Sequence, residues 1–166
     1  MIVERATTAD AEAIAALEAG FEPLERWSLA SWRQEIVAPG RLILAAKRKA
    51  TGEVLGVAAY HLVDDTADLN RIMVAPTQRR LGLARLMLLG GLEWALQQGA
   101  ARMMLEVRAD NDAALALYRS HGFAPVATRP LYYGGTVDAL VLERSLVGVN
   151  VHSIGNLVEP DTEASS

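Results

Sequence analysis

Glu106 stands in the apolar run "RMMLEV", and Tyr118 follows twelve residues later in "LYRSHGF". A carboxylate can accept a proton, directly or through water, and a phenol can donate one; together they suit a reaction that takes a proton from one reactant and returns one to another. A carboxylate is out of place in an apolar strand unless it faces a cleft. Alternation puts Glu106 on the strand face of Met104 and Arg108, and a following helix brings the Tyr118 hydroxyl back near that strand's end, at one cleft. Asn111 opens that helix, where its side chain caps or reaches a ligand. A purely structural account stands beside this one: Glu106 as an exposed residue paired to Arg108 or Arg119, and Tyr118 as a core aromatic with its hydroxyl at the surface.

A second cluster lies upstream. "LNRIMVAP" reads as a strand ending at a proline, and "TQRRLGLARL" turns from it into a leucine-rich helical pattern. The first N–H groups of a helix lack internal partners and sit at the positive end of the helix dipole, which makes that end a seat for anions. Gly82 lets the backbone approach without a Cβ in the way, Ala84 keeps the next position small, and Arg79, Arg80 and Arg85 can add charge-assisted hydrogen bonds. No Gly-Lys-Ser/Thr follows, so this is not a Walker loop, and the glycines of a dinucleotide fingerprint are missing. A solvated arginine cluster on an ordinary amphipathic helix is the competing account.

The elements that must position these residues follow from periodicity and punctuation. Strands are expected over 2–5, 41–48, 53–63, 67–74, 102–107, 123–128 and 137–143. Helices are expected from the caps Thr8 and Asp10 to Gly20, from Ser28 through Ile36, over 82–98 and over 112–121. The third helix places Leu83, Leu86, Met87, Gly90 and Trp94 on one face. His121 ends the fourth before Gly122, where a charged imidazole suits the dipole. Strands dominate early and alternate with helices later, which predicts a mixed sheet in an α/β layer architecture. Residues 1–144 read as one domain. The last stretch, 145–166, alternates Val147, Val149 and Val151 before an acidic, serine-rich end, and reads as a frayed tail or as an added strand or partner-binding segment.

Composition narrows the classes. The 166 residues are 51% apolar, carry a net charge of −4 and contain no cysteine. An acidic chain argues against a general nucleic-acid binder. The lack of thiols removes disulfides, zinc thiolate sites and a cysteine nucleophile together. His61, His121 and His152 are scattered, so no metal site is expected. No signal peptide and no membrane span are expected, which points to a cytoplasmic protein.

The two clusters together resemble the GCN5-related N-acetyltransferases (GNAT). Arg79-x-x-Gly82-x-Ala84 is similar to that superfamily's acetyl-CoA pyrophosphate motif, R/Q-x-x-G-x-G/A, and "LEVRADNDAALALYRSHGF", "VAPTQRRLGLARLML" and "RPLYYGGTVDALVLE" look like RimI-type ribosomal-protein-alanine acetyltransferases. The resemblance covers roughly residues 2–144, and "ERWS" at 25–28 falls where that family has a tryptophan-serine loop beside its peptide site. It implies a GNAT fold, a mixed, mostly antiparallel central sheet of about seven strands flanked by about four helices. It implies that the strand backbone of Ile72, Met73 and Val74 meets the pantetheine arm of acetyl-CoA. The amides of Arg80, Leu81, Gly82, Leu83, Ala84 and Arg85 cradle the pyrophosphate, and Asn111 touches the cofactor. Glu106 is implied as general base and Tyr118 as general acid, with no metal. The implied acceptor is a protein N-terminus, the N-terminal alanine of a small-subunit ribosomal protein, and the implied state is a monomer or weak homodimer. A lysine or small-molecule amine acetyltransferase uses the same scaffold, and a non-catalytic acetyl-CoA-binding module is the third reading. Arg71, where some relatives carry asparagine, and Pro130, where some carry arginine, depart from the pattern.

Overall fold

The computed structural model describes residues 1–21 and 26–151. Seven strands form one sheet: β1 Ile2–Arg5, β2 Arg41–Lys47, β3 Val54–Val63, β4 Thr66–Val74, β5 Arg102–Arg108, β6 Ala124–Tyr133 and β7 Val137–Ser145. Four helices are described: α1 Ala11–Glu18, α2 Leu29–Val37, α3 Leu83–Gln97 and α4 Asp112–Ser120. The spatial order is β1-β2-β3-β4-β5-β7-β6. Every pairing is antiparallel except β4 with β5, which run parallel. α3 makes the crossover that a parallel pair requires. The mixed, mostly antiparallel sheet expected from the sequence is the sheet observed.

The middle of the sheet is covered on both faces, which explains its composition. Residues 42–46 of β2 and 55–60 of β3 are buried without a break, as strands sandwiched between helical layers are. On one face α3 and α4 close a core around Leu44, Tyr60, Met87, Leu92, Met103 and Leu105. On the other, α1 and α2 close a smaller core around Ile14, Trp32, Ile43 and Met73. Ser28 caps α2, its hydroxyl accepting from Ser31 N–H at 3.1 Å. The α1–α2 layer packs on β2 and β3, so among the described residues no helix covers the β4-β5-β7-β6 half of that face.

α3 lies close against β3. The Tyr60 hydroxyl donates to Met87 O at 2.8 Å, and a Cβ on Gly91 would stand 2.0 Å from Tyr60 Cζ. Gly91→Ala therefore forces helix and strand apart. A loss of about 3 kcal/mol is expected, read as a lower urea midpoint at constant slope.

Several boundaries differ from expectation. The first helical segment is a 3-10 turn, Thr8–Asp10, running into α1, which stops at Glu18. β6 runs five residues past the expected 128, because it is an edge strand whose pairing with β7 resumes at Tyr133 after an irregularity. Leu86 is 41% exposed; α3 buries the stripe through Leu83, Met87, Leu88, Gly91 and Ala95, and Leu86 projects beyond it. Past β7, Leu146 is buried and Val149 packs on the core while Val147 is exposed, so the chain stays on the body beyond residue 144. Residues 152–166, and with them His152 and most of the expected tail, lie outside the described residues, as does Glu25.

Candidate active site

β4 and β5 separate part-way along. They pair from Thr66↔Arg102 to Leu69↔Leu105, and no further. On its other edge β4 stays paired to β3, but its register slips by one residue between Ala59 and Tyr60, leaving Asn70 unmatched as a bulge. The bulge flips the alternation. Ala67 and Leu69 face the α3 core before it, Ile72 and Val74 face that core after it, and Met73 faces α1 and α2. Ala75 N–H donates to Leu55 O at 2.8 Å. Antiparallel alternation then turns the backbone of Met73 to β3 and that of Ile72 and Val74 to the gap. The gap is edged by strand backbone with no strand to receive it.

The loop after β4 leads to the start of α3. Pro76–Gln78 form a 3-10 turn, Arg80 takes φ 65°, and Gly82 takes φ 79° as N-cap of α3. Among the described residues no side-chain cap hydrogen bond closes this end. The first turn closes with Leu86 N–H donating to Gly82 O at 3.0 Å, so the N–H groups before it point out of the helix. A Cβ on Gly82 would meet nothing within 4 Å. Glycine is needed here for its left-handed backbone and for the open space ahead of it. Two of the three arginine side chains make contacts of their own: the Arg79 guanidinium lies 5.9 Å from the Phe21 ring centre, and Arg85 Nε donates to His121 Nε2 at 3.4 Å.

His121 follows α4 as its C-cap. It is buried, its Nδ1 lies 2.8 Å from Leu117 O, and its Nε2 accepts from Arg85.

Glu106 and Tyr118 approach from opposite faces of the sheet. Met103, Leu105 and Val107 face the α3 core, so Met104, Glu106 and Arg108 share the open face. Glu106 lies just past the point of separation. Its Oε1 forms an ion pair with Arg129 Nε at 3.0 Å, in place of the expected Arg108 or Arg119; Arg108 instead forms a two-pronged pair with Asp110, both contacts at 3.0 Å. Glu106, Asp68, Asn70, Arg129, Tyr132 and Tyr133 help line an open pocket of about 520 Å³. Tyr118 is only 4% exposed and packs edge-on to Phe123, ring centres 5.8 Å apart. Burial, with a smaller contribution from Tyr133, pushes its phenol up to about 12. Tyr60 on β3 and Tyr133 at the end of β6 both lie within electrostatic range of it. Asn111 caps α4, its Oδ1 accepting from Ala114 N–H at 3.2 Å.

Three groups of the site escape sequence reasoning. Arg129 gives no local signal. Asp68 is one acid in an otherwise expected strand, noticeable only through its neighbours Ala67 and Leu69, which set its face. Glu18 is 2% exposed; it accepts from Trp27 N–H and lies 3.7 Å from Arg71 Nη1. The Arg71 guanidinium in turn lies 4.4 Å from the Trp27 ring centre. This cluster ties the chain entering α2 to β4 beside the gap.

A parallel pair that splays at a bulge, with an uncapped glycine helix start at its mouth, is a cleft for an extended ligand with an anionic end. Residues 9–123 match the acetyltransferase (GNAT) family. The chain belongs to the GNAT family. It is 36% identical over 144 residues to the N-alpha-acetyltransferase RimI of Mycobacterium tuberculosis, covering 83% of this chain and 88% of that one. It is 33% identical over 131 residues to the [ribosomal protein bS18]-alanine N-acetyltransferase of Escherichia coli K12, covering 76% and 88%. The crystal structure of the ribosomal-protein-S18-alanine N-acetyltransferase from Escherichia coli superposes with a TM-score of 0.76 at 29% identity, covering 87% and 92%. This GNAT chain is an N-acetyltransferase that draws on acetyl-CoA. The residues fit that co-substrate: the gap between β4 and β5 offers backbone to an amide-bearing arm, and the α3 start offers N–H groups to its phosphates. Among the described residues no helix is long and apolar enough to cross a membrane, and no group of three or more His, Asp or Glu is placed to hold a metal ion.

Proposed function

We propose that the chain acetylates the α-amine of a protein N-terminus, the N-terminal alanine of a small-subunit ribosomal protein, by direct attack of that amine on the thioester. The observation that carries this is the pocket on the open sheet face, with Glu106 where β4 and β5 part. The acceptor enters from that face and acetyl-CoA occupies the gap and the α3 start. The printed activities of the two relatives support the choice of acceptor.

Each residue then has a task. Ile72 and Val74 present backbone groups along the gap, and one of their N–H groups faces the oxyanion formed as the amine attacks. The amides of residues 80–85, with Gly82 and Ala84 keeping the approach clear, hold the pyrophosphate at the helix start. Asn111 uses its amide nitrogen towards the co-substrate. Glu106 takes the proton of the incoming ammonium through water, and Tyr118 donates towards the leaving sulfur. The remaining effect is orientation of two reactants side by side. An α-ammonium has a pKa of about 8, a lysine ammonium about 10.4, so a lone carboxylate is the better match to the α-amine.

Two experiments bear on this reading. With peptides copying small-subunit ribosomal N-termini, acetylation is expected on an amino-terminal alanine and located there by fragmentation mass spectrometry; turnover only of polyamines or other small amines would favour the small-molecule reading. Gly82→Val, a branched residue at φ 79°, is expected to raise the KM for acetyl-CoA at least tenfold by straining the loop and filling the approach, with kcat affected less. An unchanged KM would remove the α3 start from the binding site.

A further inference from the structure

Asp68 belongs to the same pocket but has no task in the reaction as described. It lies on β4 opposite His61 on one side and Met104 on the other. Its neighbours Ala67 and Leu69 face the α3 core, so its side chain is on the acceptor face. Glu106 is two residues beyond Met104 on the adjacent parallel strand, which places the two acids about 8 Å apart by strand geometry. The charges around the pocket do not balance. Arg129 is the cation among its lining residues, and it is engaged by Glu106. Among the described residues no Lys or Arg pairs with Asp68. Burial pushes its carboxyl up, against an opposing pull from His61. A half-buried carboxylate without a cation is costly, and an incoming cation offsets that cost.

We propose that Asp68 is a specificity-determining residue, selecting acceptors that carry a lysine or arginine next to the reacting α-amine. This rests on the peptide N-terminus reading above. With the amine at Glu106, a second residue in extended conformation lies about 3.4 Å further along, and a long cationic side chain from it spans the rest of the distance to Asp68. An acceptor with a neutral second residue leaves the carboxylate uncompensated; one with an acidic second residue meets repulsion.

The test is a pair of free-N-terminus peptides beginning Ala-Arg and Ala-citrulline, identical otherwise, with acetylation followed at the α-amine. The wild-type protein is expected to favour the arginine peptide about tenfold in kcat/KM, the size of effect that one partly buried charge pair gives. Asp68→Asn is expected to bring the ratio within about twofold of unity, while Asp68→Glu retains the preference. Equal wild-type rates on the two peptides, or a wild-type ratio persisting in Asp68→Asn, would overturn the assignment. The wild-type comparison stands even if the variants do not fold. Alpha-amine acetylation at equal rates sinks this inference alone; two inert peptides beside active lysine acetylation sink the underlying function with it.

Discussion

Tyr118→Phe is expected to lower kcat about a hundredfold, the lower part of the range for a lost general acid, while the KM for acetyl-CoA stays within about twofold. The ring is held by burial and by the edge-on contact with Phe123, and phenylalanine preserves both. Only the hydroxyl goes. With its phenol pushed up to about 12, Tyr118 keeps its proton throughout the working range, so it meets the departing sulfur as a donor. Without it, on the proposed role, the thiolate would form with one less hydrogen bond. Steady-state kinetics with a thermal melt on the same samples separates this from misfolding. Unchanged kcat in a folded variant would remove the assigned role and leave Tyr118 a core aromatic.

Glu106→Gln is expected to lower kcat/KM about a hundredfold near pH 7. The loss should shrink as pH rises past about 8, where the α-amine sheds its proton without help. That pH dependence separates a lost base from a lost binding contact, because a contact would be missed equally at every pH. The substitution also removes the charge opposite Arg129, but that pair is half-exposed, and such pairs contribute about 0–1 kcal/mol. Stability should change little. A rate deficit constant from pH 6.5 to 9.5 would contradict the assignment of Glu106 as base.

The architecture was legible because its strongest signals are local. Ser28 before α2, Gly82 and Gly99 at the ends of α3, Asn111 before α4 and the unbroken apolar runs of β2 and β3 each announce an element, and each element is present. The glycine start of α3 was legible for the same reason, since a helix start is built from neighbouring residues. What could not be read is what depends on distant strands. The bulge at Asn70 exists only as a mismatch with β3, and it decides which backbone groups of β4 reach the gap. Arg129 reaches Glu106 because β7 inserts between β5 and β6, an order that local pattern does not encode. Spacing placed Tyr118 near the Glu106 strand but not on the far side of the sheet from it. The arginines of "RRLGLAR" looked like anion ligands by charge alone; Arg79 and Arg85 contact Phe21 and His121, partners that spacing did not announce.

The most direct measurement uses two peptides of one sequence, Ala-initiated and carrying one internal lysine, one with a free and one with a formylated N-terminus. Each is incubated with the protein and acetyl-CoA, and the acetyl group is located by mass spectrometry. The free peptide should gain one acetyl group at its α-amine, and the formylated peptide should remain unmodified. Equal acetylation of the lysine in both peptides would contradict the account.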